Sequence, residues 1–595
     1  MREARDGREL LVGHLRAHWY QYLFAVSIMA VAHVIHALFP GVLGSFTDDL
    51  HDGKLSHESV VRYFLMLVGI AAGHSALFGI GQYINHRLGR RFEYNARRRL
   101  FRHFTRLGET YFSRHGIGRM LSYVMNDVQS VRESIANGLN QTTNATVLLV
   151  SVTVMMAFSG IPLGLVAVCV VPLLVIPFLV VTFGPRIRQR SQMVQESLAT
   201  MTAAAEEQFG GIRVTKTFAT EPIARGRFAE TVDRIRVNQL RLVKLSSLFQ
   251  ASLPFTGALS LVVALAWGGY HVTSGRLTLG NFVALLLYLR MIVTPLQQIG
   301  NVINMMQRAS ASLDRLNRLL AVEPDIREAE DAVALPPEAA DIEVRGLTFT
   351  YPNAKAPSLT DVCIRLPRGR TLGIVGRTGS GKTTLAKLLL RVYDPPPGTV
   401  FVGGVDIREL TLESLRTQIA YVPQDGFLFS TTIRDNIAFS DRKMPLERVE
   451  RAAKMADLYE TVSGFPNGFE TKLGERGLTL SGGQRQRTSL ARGLVKDAPI
   501  LVLDDSVSAV DAVTETAILR QLREARRGKT TIIIAHRLSA VRHADEIVVL
   551  EDGRIAERGT HEELLRRGGI YAAMHALQEG GDERCGQAER TATRN

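Results

Sequence analysis

Nine residues in the second half of the chain have the types and spacing of a phosphate-binding loop. Residues 376–384 read Gly-Arg-Thr-Gly-Ser-Gly-Lys-Thr-Thr, after an apolar run at 372–375 and before a helical pattern. In that strand–loop–helix context the glycines let backbone N–H groups approach phosphates, and the helix N-terminus adds partial positive charge. Lys382 is predicted to reach the β- and γ-phosphates and Thr383 to ligate Mg²⁺. The predicted nucleotide-binding residues of this loop are Gly376, Arg377, Thr378, Gly379, Ser380, Gly381, Lys382, Thr383 and Thr384.

Two carboxylates end a second apolar run in the same half of the chain. Leu501-Val502-Leu503 is followed directly by Asp504 and Asp505. A carboxylate at the end of such a strand can hold the coordination shell of Mg²⁺ beside a phosphate-binding loop. The sequence therefore predicts a metal site that contains Thr383 and Asp504.

A third motif, Leu480-Ser481-Gly482-Gly483-Gln484, lies between the other two. With it, the second half of the chain resembles the nucleotide-binding domain of an ABC transporter. Residues 10–578 as a whole resemble an ABC exporter half-transporter, and in particular the degenerate-site subunit of bacterial heterodimeric multidrug exporters. The resemblance implies an ATPase coupled to transport by alternating access, with ATP and Mg²⁺ as cofactors.

The resemblance also implies roles for single residues. Tyr351 would stack on adenine, His536 would contact the γ-phosphate, and Gln424 would link Mg²⁺ to the membrane domain, which adds it to the metal residues. In this family two ATPase domains hold two ATP molecules head to tail, so each signature binds the ATP held by the other subunit. A chain with one such domain must therefore pair, and its signature residues for the partner's ATP are Ser481, Gly482, Gly483 and Gln484.

Asp505 departs from the family's pattern, which places Glu there to polarise the attacking water. The carboxylate of Asp is one methylene shorter. A general base must lie within about 2.6–3.2 Å of the proton that it takes, and a misplacement of about 1 Å can cost on the order of a hundredfold in rate. Two interpretations stay open: Asp505 acts as a slow base, or its site is degenerate and a different partner chain with Glu hydrolyses ATP. The predicted catalytic residues are Asp505, His536 and Gln424.

The first half of the chain holds six apolar stretches. A transmembrane helix needs about 20 mostly apolar residues. Six stretches meet this requirement, and residues 161–183 carry no charge at all, which argues against buried helices of a soluble protein. The predicted spans lie at about 20–47, 60–85, 136–159, 161–183, 247–273 and 279–305, and residues 9–20 are typical of an amphipathic helix on the membrane surface.

The formal net charge of +14 suggests either nucleic-acid binding or cationic loops at a membrane. Its distribution favours the membrane, because Arg and Lys cluster in two long connections at 87–132 and 186–244, whereas the first short connection is acidic. The positive-inside rule then places both long loops, both termini and the ATPase half in the cytoplasm. We expect a multi-pass protein of the inner (plasma) membrane that binds no nucleic acid.

Each long basic loop contains a patch broken by glycine, at 111–119 and 206–214. These patches resemble the coupling helices by which ABC exporters dock on ATPase domains; a plain turn is the alternative. Within the spans, Arg290 and the histidines His33, His36 and His74 are polar groups that either line a substrate path or take part in packing.

The predicted organisation has a transmembrane domain at 1–320, a linker at 321–340, an ABC nucleotide-binding domain at 341–578 and a disordered tail at 579–595. The fold class is a six-helix all-α transmembrane domain with long cytoplasmic helical extensions, joined to an α/β P-loop ATPase domain. The leading function is ATP-driven export of small amphiphilic drugs or lipids. Peptide secretion, a homodimeric exporter and an ATP-holding regulatory subunit remain as alternatives.

Overall fold

The computed structural model describes residues 9–352, 354–474, 477 and 479–578, with no side-chain description for 299 and 300. The predicted disordered tail at 579–595 lies outside these residues. The chain divides into two compact units, each with its own core. One comprises Met1–Arg106 and His115–Glu323, and the other comprises Leu107–Arg114 and Pro324–Asn595.

The first unit is all-α, as the sequence predicts. Three π-helical turns interrupt its helices at Tyr123–Asp127, Ser134–Gly138 and Ala264–Gly268, and a 3₁₀ turn lies at Val171–Leu174. Its helices, together with α4, which extends from the other unit, are α1 Glu9–Ala37, α2 Phe39–His51, α3 His57–Phe104, α4 Glu109–His115, α5 Ile117–Ser122, α6 Val128–Glu133, α7 Leu139–Phe158, α8 Leu163–Val170, α9 Val175–Gly210, α10 Ile212–Thr217, α11 Glu221–Val263, α12 Gly269–Thr273 and α13 Leu279–Leu320.

Six helical stretches among the described residues are long and apolar enough to cross a membrane, which agrees with the six predicted spans. The helices extend beyond the apolar parts, because backbone hydrogen bonding continues into the charged segments where hydropathy no longer marks the helix. The stretches are Leu10–His51, His57–Phe104, Ile117–Phe158, Leu163–Gly210, Glu221–Thr273 and Leu279–Leu320. The backbone leaves helical geometry at His18, within the segment predicted to lie on the membrane surface.

Side-chain hydrogen bonds fix the start of α3 and of α13. The Ser56 hydroxyl accepts the Ser59 N–H at 3.2 Å and the Ser59 hydroxyl accepts the Ser56 N–H at 2.8 Å, so α3 begins with a reciprocal capping box. The carboxylate of Asp48, near the end of α2, accepts the Gly280 N–H at 2.6 Å and the Thr278 hydroxyl at 2.8 Å. Asp48 therefore ties α2 to the first turn of α13.

The same helix pair is in close backbone contact. A Cβ added to Gly280 would lie 2.0 Å from the carbonyl oxygen of Gly44, and one added to Gly44 would lie 2.7 Å from that of Gly280. Small residues permit such close packing between membrane helices, where van der Waals contact rather than the hydrophobic effect drives association.

The polar groups predicted within the spans have different surroundings. His36 and His74 stack with ring centroids 4.4 Å apart, and His74 Nδ1 lies 3.0 Å from the carbonyl oxygen of Ala32. Both ring nitrogens of His33 are buried without a hydrogen-bond partner. Arg290 is exposed. The histidines thus take part in packing between α1 and α3, whereas Arg290 remains accessible.

The second unit is α/β, and its described residues form two sheets, of strand order β2-β1-β4-β5 and β10-β9-β3-β8-β7-β6. Short 3₁₀ turns lie at Gly468–Glu470 and Leu538–Ala540. The strands and helices are β1 Ile342–Phe349, β2 Leu359–Leu366, β3 Thr371–Gly376, α14 Lys382–Leu389, β4 Val400–Val402, β5 Val405–Asp406, α15 Leu412–Gln418, β6 Ile419–Val422, α16 Ile433–Ile437, α17 Leu446–Met455, α18 Tyr459–Ser463, α19 Gly482–Leu494, β7 Ile500–Asp504, α20 Ala512–Ala525, β8 Thr530–Ile534, β9 Glu546–Glu551, β10 Arg554–Gly559 and α21 His561–Arg567.

The topology of the six-stranded sheet explains why distant motifs meet. Strands β9, β3, β8, β7 and β6 are parallel, and every residue of β7 and β8 is buried, so the sheet is covered on both faces. The carboxyl ends of parallel strands lie along one edge. The last residues of the strands at that edge are Gly376 of β3, Asp504 of β7, Ile534 of β8 and Val422 of β6. Ligands of open α/β sheets bind at this edge.

Candidate nucleotide site

The phosphate-binding loop connects β3 to α14 and has backbone geometry that glycine allows. Gly379 and Gly381 have φ of 86° and 98°, in the left-handed region, where a side chain would be strained. A Cβ at Gly381 would also lie 2.6 Å from the carbonyl oxygen of Ser358. The helix starts at Lys382, so its free N–H groups face the loop. The loop therefore has the backbone geometry that an anion cradle requires.

Lys382 closes this loop into a ring. Its Nζ donates to the carbonyl oxygens of Gly376 and Arg377, both at 2.8 Å, and lies 3.4 Å from the Ser380 hydroxyl. Burial lowers the pKa of Lys382, while the nearby charges of Asp505 and Asp504 act to raise it. A buried ammonium whose partners are mainly neutral carbonyls suits an anionic ligand such as a phosphate.

The rest of the predicted loop residues divide into an exposed tip and a buried base. Arg377, Thr378 and Gly379 are exposed, whereas Ser380 and Thr384 are buried. The buried hydroxyl of Thr384 lies 3.0 Å from the hydroxyl of Tyr351. The loop thus presents its tip to solvent while its base is held by the domain.

Tyr351 stands at the border of the site rather than free above it. Its ring packs edge-to-face on Phe349 and Tyr393, with centroids 5.2 and 5.1 Å away. It is half-buried, and aromatic packing of this kind holds a ring at a fixed position. The predicted adenine-stacking residue is therefore adjacent to the phosphate loop and oriented by its neighbours.

Asp504 is a buried carboxylate whose hydrogen-bond donors are hydroxyl groups. Thr383 Oγ1 donates to it at 3.2 Å and the Tyr421 hydroxyl donates at 3.1 Å. Burial raises the pKa of Asp504, although those two hydrogen bonds lower it in part. A carboxylate, a threonine hydroxyl and the nearby amide of Gln424 are hard oxygen donors of the kind that Mg²⁺ takes. Thr383, Asp504 and Gln424 therefore fit a magnesium ion bound together with ATP.

The three residues predicted to be catalytic converge on one point. The Gln424 amide nitrogen lies 3.4 Å from Asp505 Oδ2, and the backbone N–H of His536 lies 3.3 Å from Asp505 Oδ1. Asp505 has a left-handed φ of 48°, and its own N–H donates to the carbonyl oxygen of Ile534 at 2.8 Å. The carboxylate is thus held at its base and on both oxygens, so it has little freedom to reach outward.

The signature Leu480–Gln484 forms the start of α19. The Ser481 hydroxyl accepts the Gln484 N–H at 3.2 Å, and the Gln484 side chain accepts the Ser481 N–H at 2.9 Å. This capping box gives a structural reason for two of the five residues of the motif, because Ser and Gln at this spacing satisfy two free N–H groups at the helix start. Ser481 and Gly482 are exposed, so the helix start is accessible to an anion.

In the described part of the chain, no hydrogen bond or ion pair joins Ser481–Gln484 to the phosphate loop. Other hydrogen bonds bring Thr383 of the loop, Asp504, Asp505, Gln424 and His536 together.

Sequence reasoning missed two polar groups that support this site. Gln486 is buried and hydrogen-bonded to the turn after Asp505. Glu109, two residues before the first predicted coupling patch, binds Lys387 of α14 at 2.7 Å within the second unit. The signal for Gln486 was a second glutamine two residues after the signature; nothing in the sequence pairs Glu109 with Lys387.

Comparison with known proteins decides the family. The chain matches the family described as ABC transporter transmembrane region over residues 22–296, and the family described as ABC transporter over residues 359–508. It is 35% identical, over 95% of its length and 96% of the relative's, to a probable multidrug resistance ABC transporter ATP-binding/permease protein of Bacillus subtilis (strain 168). The chain belongs to the ABC transporters.

Two further relatives extend this finding. The half-transporter is 32% identical to the ATP-dependent lipid A-core flippase of Escherichia coli (strain K12), over 93% of this chain and 95% of the relative. Its fold matches that of a bacterial Atm1-family ABC exporter solved with ATP bound, with a TM-score of 0.76 and 27% identity, over 95% of this chain and 98% of that chain. The expected family and fold class are confirmed: this ABC transporter joins six apolar helical stretches to an ATPase domain.

Proposed function

We propose that this chain is one subunit of a heterodimeric ABC exporter that moves small amphiphilic drugs or lipids out of the cytoplasm or the inner leaflet. Its own ATP site is slow or non-hydrolysing, and its signature completes the working site of a different partner chain that carries Glu. The observation that carries the proposal is the short carboxylate of Asp505, held between Gln424 and His536, in a chain whose signature keeps an intact Ser481 capping box.

The proposed chemistry follows from what each side chain can hold. The loop N–H groups and Lys382 bind phosphate oxygens, and Tyr351 borders the base. Thr383, Asp504 and Gln424 hold Mg²⁺, which when bound neutralises charge on the phosphates. His536 would contact the γ-phosphate, and Asp505 would orient water from one methylene farther away than Glu, which slows the chemical step.

The second glycine-broken patch supports the need for another subunit. Its short helix α10 and flanking residues expose Phe209, Ile212, Val214 and Phe218, whose relative accessibilities range from 44% to 75%. Several large apolar side chains exposed within one short segment of a charged loop favour a protein contact. Residues 111–114 of the first patch, in contrast, belong to the unit of its own ATPase domain.

The proposed topology has an inner-membrane domain at 1–320, a linker at 321–340 and a cytoplasmic ATPase domain at 341–578. The basic connections at 87–132 and 186–244 support cytoplasmic loops and termini through the positive-inside rule.

The test compares the purified chain with two variants in lipid nanodiscs. The wild type alone should hydrolyse ATP slowly, Asp505→Glu should raise its rate by about tenfold or more, and Lys382→Ala should abolish both. Rapid turnover by the wild type alone would show a homodimer with a working Asp base. Inside-out vesicles with and without the chain then distinguish an exporter from an ATP-holding regulatory subunit.

A further inference from the structure

Gln486 connects the signature helix to the backbone of the predicted catalytic residue. It lies in the second turn of α19, four residues after Gly482, and is 6% exposed. Its Nε2 donates to the carbonyl oxygen of Asp505 at 2.9 Å, and its Oε1 accepts the N–H of Ala509 at 2.8 Å. One side chain therefore holds both ends of the turn from Asp505 to Ala509.

That turn has other contacts which add to its dependence on α19. The Ser508 hydroxyl donates to the same Asp505 carbonyl at 2.9 Å and lies 3.4 Å from Gln486 Nε2. A Cβ on Gly483 would lie 3.2 Å from the carbonyl oxygen of Ala509, so the helix backbone itself runs close to the turn. A displacement of α19 consequently cannot leave the turn in place without breaking a buried amide's hydrogen bonds.

We propose that Gln486 is a positioning residue that transmits the placement of the signature helix to the carboxylate of Asp505. The strained φ of Asp505, 48°, persists only while its surroundings fix it. Gln486 supplies that restraint on the carbonyl side, as Ile534 does on the N–H side. Its amide has both a donor and an acceptor in use, which neither an apolar nor an ionised side chain of the same size can reproduce.

The biological role of this link rests on the proposed function. If the signature binds ATP held by the partner subunit, occupancy of the partner's site moves α19 and, through Gln486, adjusts Asp505 in this chain's own site. The two ATP sites would then be coupled through one buried amide. The link itself is a property of this chain's fold and can be tested without nucleotide or partner.

The test is a double-substitution cycle in the full-length chain in lipid nanodiscs, read by hydrogen exchange of amides 505–511. Ser481→Ala removes the cap of α19 and should speed exchange of the turn at least threefold while Gln486 is present. In the Gln486→Met background the same change should alter the turn by less than about 1.5-fold. Gln486→Glu, which keeps the acceptor but loses the donor, should behave like Gln486→Met.

Gln418 offers a matched control, because it is buried too and its amide donates to the carbonyl oxygens of Leu335 and Pro336 at 2.7 and 3.0 Å. In the Gln418→Met background Ser481→Ala should retain its full effect on the turn. An equal effect of Ser481→Ala in all three backgrounds, or no effect in the wild type, overturns the inference. Neither result bears on ATPase rates, so a failure of the proposed function is recognised separately by the Asp505→Glu and Lys382→Ala comparison.

Discussion

Glu109 and Lys387 form an ion pair, with Glu109 Oε1 2.7 Å from Lys387 Nζ. Glu109 begins the short helix α4, which follows the long membrane helix α3 in the chain, and Lys387 lies in α14, five residues after Lys382. Burial alone lowers the pKa of Lys387, but its hydrogen bond to Glu109 raises it to a net value above the ordinary one. The helix that starts at the phosphate loop is therefore held by the segment that continues from a membrane helix.

We predict that reversing one charge of this pair uncouples the rate of ATP hydrolysis from the binding of substrate. Glu109→Lys or Lys387→Glu should lower substrate stimulation of ATPase severalfold, and the double exchange should restore most of it because the attraction is re-formed with opposite sign. Both side chains are partly exposed, so folding stability should change by only about 1 kcal/mol or less. The measurement is the ratio of stimulated to basal ATPase in nanodiscs.

Lys529→Glu is the control for this cycle, since Lys529 forms a surface pair with Asp497 at 2.6 Å elsewhere in the same unit. It should leave the stimulation ratio unchanged. A double exchange that stays as uncoupled as the single reversals would show that the pair has no role in coupling.

The exposed patch at the second tip leads to a prediction about assembly. Phe209→Ala with Phe218→Ala should leave the unfolding temperature nearly unchanged, because exposed side chains contribute within about 0.5 kcal/mol. If a second subunit covers the patch, substrate-stimulated ATPase of the assembled exporter should fall severalfold. Leu240→Ala, an exposed apolar residue on the neighbouring helix α11, should not have this effect. Equal activity of the double variant and Leu240→Ala would contradict a contact at this tip.

The sequence predicted those parts of the molecule that depend on local pattern. Six spans followed from apolar length, and the phosphate loop followed from the spacing of Gly376, Gly381 and Lys382 between a strand and a helix. The convergence of Gln424, Asp505 and His536 needed the order of strands in a parallel sheet, which only the resemblance implied. Contacts between segments far apart in sequence, such as Glu109 with Lys387, were not predictable, because a long charged side chain on a helix has many possible partners.

The signature serine caps α19 and, in the proposed function, contacts a phosphate; two substitutions at this position separate the two roles. Ser481→Ala removes the capping oxygen and should destabilise the start of α19 by about 1 kcal/mol. Ser481→Asp keeps an oxygen that accepts the Gln484 N–H, but adds negative charge where a phosphate would approach. We expect Ser481→Asp to preserve helix stability, read by hydrogen exchange of 482–486. It should abolish ATP-driven closure, that is, the pairing of the two ATPase domains around ATP.

Thr560→Ala controls for the loss of a cap as such. Thr560 and Glu563 form a similar capping box at the start of α21. This variant should lose cap stability yet retain ATP binding and hydrolysis. If Ser481→Asp kept normal ATP-driven closure, the proposed contact between this signature and a phosphate would be wrong.

The buried carboxylate of Asp504 should make the nucleotide-free ATPase domain more stable in mild acid than at neutral pH. Burial raises its folded-state pKa above the unfolded value of 3.8, so between these two values the folded state binds the proton more tightly. The contribution of Asp504 to the free energy of unfolding therefore rises as the pH falls through its folded-state pKa. Above that pKa the carboxylate is ionised, and the free-energy cost of burying its charge is fully present. Asp504→Asn removes that cost and should raise the unfolding temperature at pH 7.5 without Mg²⁺ by roughly a few degrees.

The same substitution should show that this instability belongs to the metal site. With Asn at 504, Mg²⁺-dependent ATP binding should weaken by more than about tenfold, because the only charged ligand of the proposed metal set is lost. Addition of Mg²⁺ and ATP should stabilise the wild type far more than the variant, since ligand binding stabilises in proportion to the logarithm of ligand concentration over Kd. Thermal unfolding from about pH 4 to 8, with and without Mg²⁺ and ATP, measures the pH dependence, the effect of the substitution and the stabilisation by ligand. A variant that is less stable than the wild type at every pH would show that the hydrogen bonds from Thr383 and Tyr421 outweigh the desolvation of the carboxylate.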